Sequence, residues 1–201
     1  MCTRFSFNLM EENLGFLGLG SVSFQHQSLQ VTPGRQVWMI RNTNQSKPEL
    51  VQAKWGLAPS WLDDFSKVQV NARVETASRL PMFKEAWAKR RCLVLADSYY
   101  QWHSSIDQRR QLWQISRQES PFILMAGLWE QYLVDKTLSF DSCAILTMPS
   151  VEQLSLISER MPVVLNNEDA LSWLNGSHYD VSQFLNKLHK YSFASHSLVK
   201  R

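Results

Sequence analysis

The feature that most constrains this chain is the recurrence of short stretches that alternate apolar with polar residues or run apolar for a few positions. They are Arg35 to Ile40, Leu50 to Leu57, Arg91 to Trp102, Leu112 to Ser116, Phe122 to Leu133 and Thr137 to Thr147. Alternation at period two buries one face of a strand, and a short apolar run buries both. Helical patterns are fewer. Pro81 can open a helix over Met82 to Arg90, and Ser150 can cap Val151 to Ile157, where Val151, Leu154 and Ile157 fall at helical spacing. Asn167 ahead of Glu168 and Asp169, followed by Leu171, Trp173 and Leu174 and closed by Asn175-Gly176, reads as a capped helix. Asp180 and Gln183 read as a capping box before Val181, Phe184, Leu185 and Leu188. The polar stretch Asn42 to Glu49 reads as a flexible loop. The expected fold is α+β: one domain over residues 1–201, with a curved or barrel-like, mainly antiparallel sheet flanked by short helices. A chain of 201 residues that is 44% hydrophobic is long enough to bury one sizeable core.

Charge narrows the partners only a little. A net +3 permits an anionic partner but falls short of the basic stripe of a tight duplex binder. Eight tryptophans are a heavy load, and planar side chains either fill a core or stack on unpaired bases. The three cysteines, Cys2, Cys92 and Cys143, cannot all pair with one another and carry no zinc-ligand spacing, which points to a reduced, intracellular chain without metal or other cofactor. The first residues lack the pattern of a secretory leader, and no run reaches the roughly 18 apolar residues of a membrane span. The expectation is a soluble monomer, cytoplasmic and nucleoid-associated when bound to DNA.

The second position carries the most specific chemistry. Initiator Met is commonly removed ahead of a small residue, and its removal here leaves Cys2 with a free α-amine beside its thiol. An α-amine with a reference pKa of about 7.7 to 8.0 is partly unprotonated at neutral pH and attacks an aldehyde to give an imine. The thiol then adds to the imine carbon and closes a five-membered thiazolidine. A ring-opened abasic deoxyribose offers that aldehyde, whereas intact DNA offers none. The bland alternative is an inert cysteine.

Six segments in order sharpen the choice: Met1-Cys2-Thr3-Arg4-Phe5, Trp55 to Trp61, Asn71-Ala72-Arg73-Val74-Glu75-Thr76, Arg91 to Trp102, Ala126 to Glu130, and Ile157-Ser158-Glu159-Arg160-Met161-Pro162. Together they resemble the SRAP (SOS response-associated peptidase) family of abasic-site-processing proteins. The resemblance implies a protein that binds single-stranded DNA containing abasic sites and forms a covalent crosslink through Cys2. It implies that Asn71 holds the amine or the sugar oxygen through its amide, which is both donor and acceptor. Asparagine is also a favoured helix cap, the alternative use of Asn71. The resemblance places Arg4 and Arg73 at phosphates, which suit a guanidinium fork, with Arg160 and Thr147 also at the DNA. Trp61 matches an aromatic that stacks beside the lesion, with a core role as its alternative; Trp55, Trp102 and Trp129, in strand-like runs, are expected in the core.

The chain departs from the family pattern at two proton-transfer positions. Gln101 stands where the family carries glutamate, and Ser158 where it carries histidine. An amide orients but does not accept a proton, and a lone serine hydroxyl does not titrate near neutral pH. Crosslink reversal and strand cleavage should therefore be slow. His103, on the same strand face as Gln101, and the carboxylates Glu75 and Glu159 are candidate substitutes. Thr3 replaces a glycine of the pattern and makes the backbone beside Cys2 less permissive. Two alternatives remain at this stage. One is a DNA-binding paralogue that has lost its chemistry; the other is a thiol peptidase, for which no histidine (His26, His103, His178, His189 or His196) falls in a matched catalytic block.

Overall fold

The alternating stretches form strands that close on themselves. The computed structural model describes residues 2–25, 28–43, 47–104, 110–176 and 191–198. Its strands begin with β1 (Phe5–Phe7), β2 (Glu11–Asn13), β3 (Ser21–Ser23), β4 (Ser28–Val31), β5 (Gln36–Asn42), β6 (Pro48–Trp55) and β7 (Asn71–Arg73). They continue with β8 (Arg91–Ala96), β9 (Ser98–Ser104), β10 (Arg110–Arg117), β11 (Ile123–Leu133) and β12 (Ser139–Pro149), then β13 (Arg160–Pro162), β14 (Val164–Leu165) and β15 (Phe193–Leu198). Among the described residues three short helices accompany them: α1 (Lys84–Lys89), α2 (Glu152–Ser155) and α3 (Asn167–Asn175). The α+β class with a mainly antiparallel, barrel-like sheet is what the alternation predicts.

Five strands close a barrel in the order β12-β6-β5-β8-β11 and back to β12. Every pair in it is antiparallel except β12 with β6. The apolar run of β8 is buried along its whole length because the barrel interior covers one face and α3 helps cover the other. From α3, Trp173 donates its indole N–H to the Cys92 carbonyl at 2.9 Å. Closure also dictates a glycine. A Cβ at Gly127 would lie 2.9 Å from both the Ala144 carbonyl oxygen and the Cys92 sulfur, so only a bare backbone fits between β8 and β12.

A second, five-stranded sheet runs β15-β10-β9-β1-β4 and holds the amino-terminal strand in its interior. The stretch Arg91 to Trp102, expected as one strand, is two. Asp97 breaks it by donating its N–H to the Ser6 carbonyl at 3.0 Å, while its carboxylate accepts from the Ser6 hydroxyl and from the Asn8 N–H. The chain thereby leaves the barrel at Ala96 and enters the second sheet at Ser98.

Other boundaries shift for local reasons. Asn42 closes β5 opposite Pro48, the first residue of β6, so the expected loop shrinks to 43–47, of which 44–46 lie outside the described residues. Asn166, one residue before the expected cap, accepts from the Asp169 N–H at 2.7 Å and starts α3. Ser150 caps nothing: α2 is a single turn after Val151, and the Ser150 N–H donates instead to the Glu159 carbonyl at 2.9 Å. The helix after Pro81 keeps only Lys84–Lys89 as regular α-structure. The Asp180 to Leu188 pattern lies outside the described residues.

Candidate active site

Cys2 precedes β1 and is completely buried, as are Cys92 and Cys143; all three are free thiols. What holds the terminus in place is β1 itself. Phe5 pairs with Tyr99 and Ser6 with Ser98 on β9, and the Tyr100 N–H donates to the Arg4 carbonyl at 2.9 Å. The Cys2 thiol faces the same Arg4 carbonyl at 3.8 Å, a long contact. Phe5 packs its ring 5.0 Å from that of Trp55, which is fully buried as expected and anchored by an indole hydrogen bond of 2.8 Å to the Val70 carbonyl. Burial pushes the Cys2 thiol up to about 12, so it stays protonated through the neutral range.

The residue after Val70 is Asn71, the first of β7, which runs parallel to β12 with Asn71 opposite Ile145. Asn71 caps no helix. Its amide N–H donates to the Cys2 carbonyl at 2.7 Å, bridging 69 positions of sequence. Its amide oxygen is buried and, among the described residues, has no hydrogen-bond partner. An orphaned buried acceptor costs about 1 to 3 kcal/mol unless something arrives to donate to it.

Gln101 and Ser158 come together on one atom. The Gln101 amide, 4% exposed, donates to the Arg160 carbonyl at 3.1 Å, and the Ser158 hydroxyl donates to the same oxygen at 3.0 Å. Both side chains are therefore committed as donors to one backbone acceptor. The Arg160 guanidinium forks onto Glu75 at 3.0 and 2.9 Å and also donates to the Thr147 carbonyl at 2.8 Å. Partial burial works to raise the Glu75 pKa, but the Arg160 hydrogen bond and charge outweigh it and hold the carboxyl below its usual range. An ionised, doubly bonded carboxylate is a brace and a poor base. Thr147 is fully buried, its hydroxyl 3.4 Å from the Ala72 carbonyl and 3.4 Å from Arg160 Nε.

Arg73 is exposed and Arg4 half-buried, and among the described residues neither has a carboxylate within ion-pair distance. Arg73 opens onto a cleft of about 460 Å³ lined also by Trp102, His103, Leu156, Ser158 and Arg160. Trp102 is 47% exposed, contrary to the expected core position. Gln101 faces inward, so its neighbour on the strand must face out. Leu156, which also lines the cleft, is 86% exposed. Strand alternation around Gln101 carried this information about Trp102; nothing in the sequence marked Leu156. Trp129, also expected in the core, is half-buried beneath the Arg41 guanidinium, 4.0 Å from its ring. Trp61 is 55% exposed at a turn where the Leu62 N–H donates to the Pro59 carbonyl, on the excursion between β6 and β7. Among the described residues no helix is long and apolar enough to cross a membrane, and no group of three or more His, Cys, Asp or Glu is placed to hold a metal ion.

Residues 1–200 match the family model described as SOS response associated peptidase (SRAP). The abasic site processing protein YoqW of Bacillus subtilis is 31% identical over 168 residues, which is 83% of this chain and 75% of that protein. The abasic site processing protein YedK of Escherichia coli is 30% identical over 144 residues, 72% of this chain and 63% of that one. A crystal structure of a protein from Bordetella bronchiseptica has the same fold, with a TM-score of 0.78 over 99% of this chain and 100% of that chain at 20% identity.

Proposed function

The chain belongs to the SOS response associated peptidase family, and from that premise we propose that it processes abasic sites in single-stranded DNA by crosslinking to them through Cys2 once Met1 is removed. The observation that carries this is the Asn71 amide. Its N–H holds the Cys2 carbonyl while its oxygen, buried and without a partner among the described residues, is available to accept from an α-amine on the same residue. An inert cysteine needs no such acceptor.

The chemistry follows from the groups present. The α-amine adds to the C1′ aldehyde of the opened sugar and water leaves, giving an imine. The sulfur then attacks the imine carbon: the S–C bond forms, the C=N π pair moves to nitrogen, and the thiol proton ends on that nitrogen. No side-chain base is consumed, which suits a thiol that burial keeps protonated. Arg4 and Arg73, without carboxylate partners among the described residues, meet the phosphates on either side. Trp61 stacks beside the lesion, a contact worth about 1 to 3 kcal/mol. Arg160, its charge answered by Glu75, and Thr147, buried below it, set the floor on which the strand lies.

Reversal and strand cleavage need a proton acceptor at the sugar. Gln101 and Ser158 are both neutral and both spend their protons on the Arg160 carbonyl, so these activities are weak. The alternative is a strand-binding paralogue without covalent chemistry, favoured by the depth at which the thiol is buried. The two are separated by incubating the native protein, its Met1 loss verified by intact mass, with abasic single strands on a denaturing gel. A covalent band that disappears in Cys2→Ala, with affinity for intact strands nearly unchanged, supports the crosslink. A band that survives in Cys2→Ala, or none from the processed wild type, overturns it.

A further inference from the structure

The cleft at Arg73 contains a second guanidinium whose charge is already answered. Arg160 lines that cleft together with Arg73 and Ser158. Both of its terminal nitrogens donate to Glu75, Nη1 to one carboxylate oxygen at 3.0 Å and Nη2 to the other at 2.9 Å. Its remaining donors turn to Thr147, Nη2 to the carbonyl at 2.8 Å and Nε to the hydroxyl at 3.4 Å. A guanidinium fork fits two carboxylate oxygens or two phosphate oxygens in the same way. The Glu75 carboxylate therefore sits where a backbone phosphate would dock. The two partners differ in exposure: the Arg160 side chain is 16% exposed and that of Glu75 41%. The arginine belongs to the wall, and the carboxylate is the part that can leave.

A strand that docks on Arg160 exchanges one anion for another. It gains a phosphate contact and releases a carboxylate beside it, so the net charge this pair offers to a strand is zero. Arg73, without a carboxylate in ion-pair distance among the described residues, offers its full charge. Resting on the strand-binding function proposed above, we infer that Glu75 is a specificity-determining residue: it occupies the phosphate site on Arg160 and holds down affinity for intact strands. Phosphate contacts are shared by every undamaged strand, so a protein that selects damage gains specificity by limiting them. An abasic strand adds a covalent bond that backbone charge does not supply, and the lesion aldehyde then decides which strand stays.

The sign of the change in Glu75→Gln separates this role from a structural one. If Glu75 only orders Arg160, its loss leaves binding of intact strands unchanged or weaker. If it occupies the phosphate site, its loss frees a cation. By fluorescence anisotropy with an intact oligothymidylate, Glu75→Gln binds about fivefold tighter than wild type, and its log–log salt slope is steeper by about 0.7. Glu159→Gln removes an equal charge from the cleft wall without freeing a guanidinium, and it changes affinity by less than about twofold. Adding Arg160→Gln to Glu75→Gln cancels the gain, and the Glu159→Gln comparison decides even where the double variant fails to fold. In the Met1-processed protein, an intact competitor suppresses crosslinking to an abasic strand at correspondingly lower concentration in Glu75→Gln. Binding by Glu75→Gln no tighter than wild type, or a gain matched by Glu159→Gln, overturns the role of Glu75. Tighter binding by Glu75→Gln with no covalent band from wild type supports that role and overturns only the crosslink. Failure of both proteins to bind the strand overturns the inference together with the strand-binding function.

Discussion

Replacing Gln101 by glutamate tests how the site came to lack a proton acceptor. In the native protein the Gln101 N–H donates to the Arg160 carbonyl at 3.1 Å from a position that is 4% exposed. A glutamate there faces the same carbonyl with an oxygen, so it keeps the contact only while protonated. Loss of a buried hydrogen bond together with lone-pair repulsion costs the ionised form about 2 kcal/mol, which at 1.36 kcal/mol per unit lifts the new carboxyl from about 4.3 to about 5.5 to 6. The folded-state pKa then lies above the unfolded one. The contact contributes fully below about pH 4 and is lost as pH rises through about 6. Gln101→Glu should therefore melt with wild type near pH 4.5 and about 4 to 8 °C below it at pH 7.5, at roughly 2 to 4 °C per kcal/mol for a chain of this size. A carboxyl poised near 6 is also a competent acid or base. With Ser158→His added, the imidazolium can take over donation to the Arg160 carbonyl and offset the charge. The double variant should then cleave abasic strands about 100-fold faster than wild type at neutral pH, measured by strand scission on a sequencing gel. Equal melting temperatures at both pH values would refute the claim that donation to Arg160 defines this position. A double variant no faster than wild type would show that proton transfer at these two residues does not limit the reaction.

The phosphate contacts are tested by salt: Arg4→Ala and Arg73→Ala should each weaken single-strand binding and reduce the log–log salt slope by about 0.7, and an unchanged slope removes that arginine from the backbone. Glu75 is held below its usual pKa by Arg160, so its stabilisation is present above about pH 4.5 and is lost as pH falls through the lowered folded value. Because its carboxylate is 41% exposed, Glu75→Gln should cost under about 1 kcal/mol at pH 7 and progressively less as pH falls below the usual carboxylate range; chemical denaturation across that range checks this, and a cost that does not fall with pH would sink the ion-pair account.

Strand alternation is a local property, set by which side chains must leave water, and so the barrel strands β5, β6, β8, β11 and β12 are legible along the chain nearly where they occur. The same local logic fails at Arg91 to Trp102. The apolar run continues past Ala96, but Asp97 turns away to bond Ser6 and Asn8, some ninety positions earlier. Trp102 was misplaced for a related reason, since apolar character alone assigns a core and only the inward direction of Gln101 decides which face a tryptophan takes. Candidate chemistry was legible by type: a cysteine next to the initiator, an asparagine and arginine in one short block, an amide and a hydroxyl where proton carriers are expected. How these groups engage one another was not. The Asn71 bond to Cys2 and the convergence of Gln101 and Ser158 on Arg160 join residues that meet only when β1 docks on β9 and β7 joins β12. A sequence specifies each strand's faces through burial, which every residue experiences on its own. The partners of a buried polar atom depend on the register of strands far apart in the chain, and that register exists only once the sheets have closed.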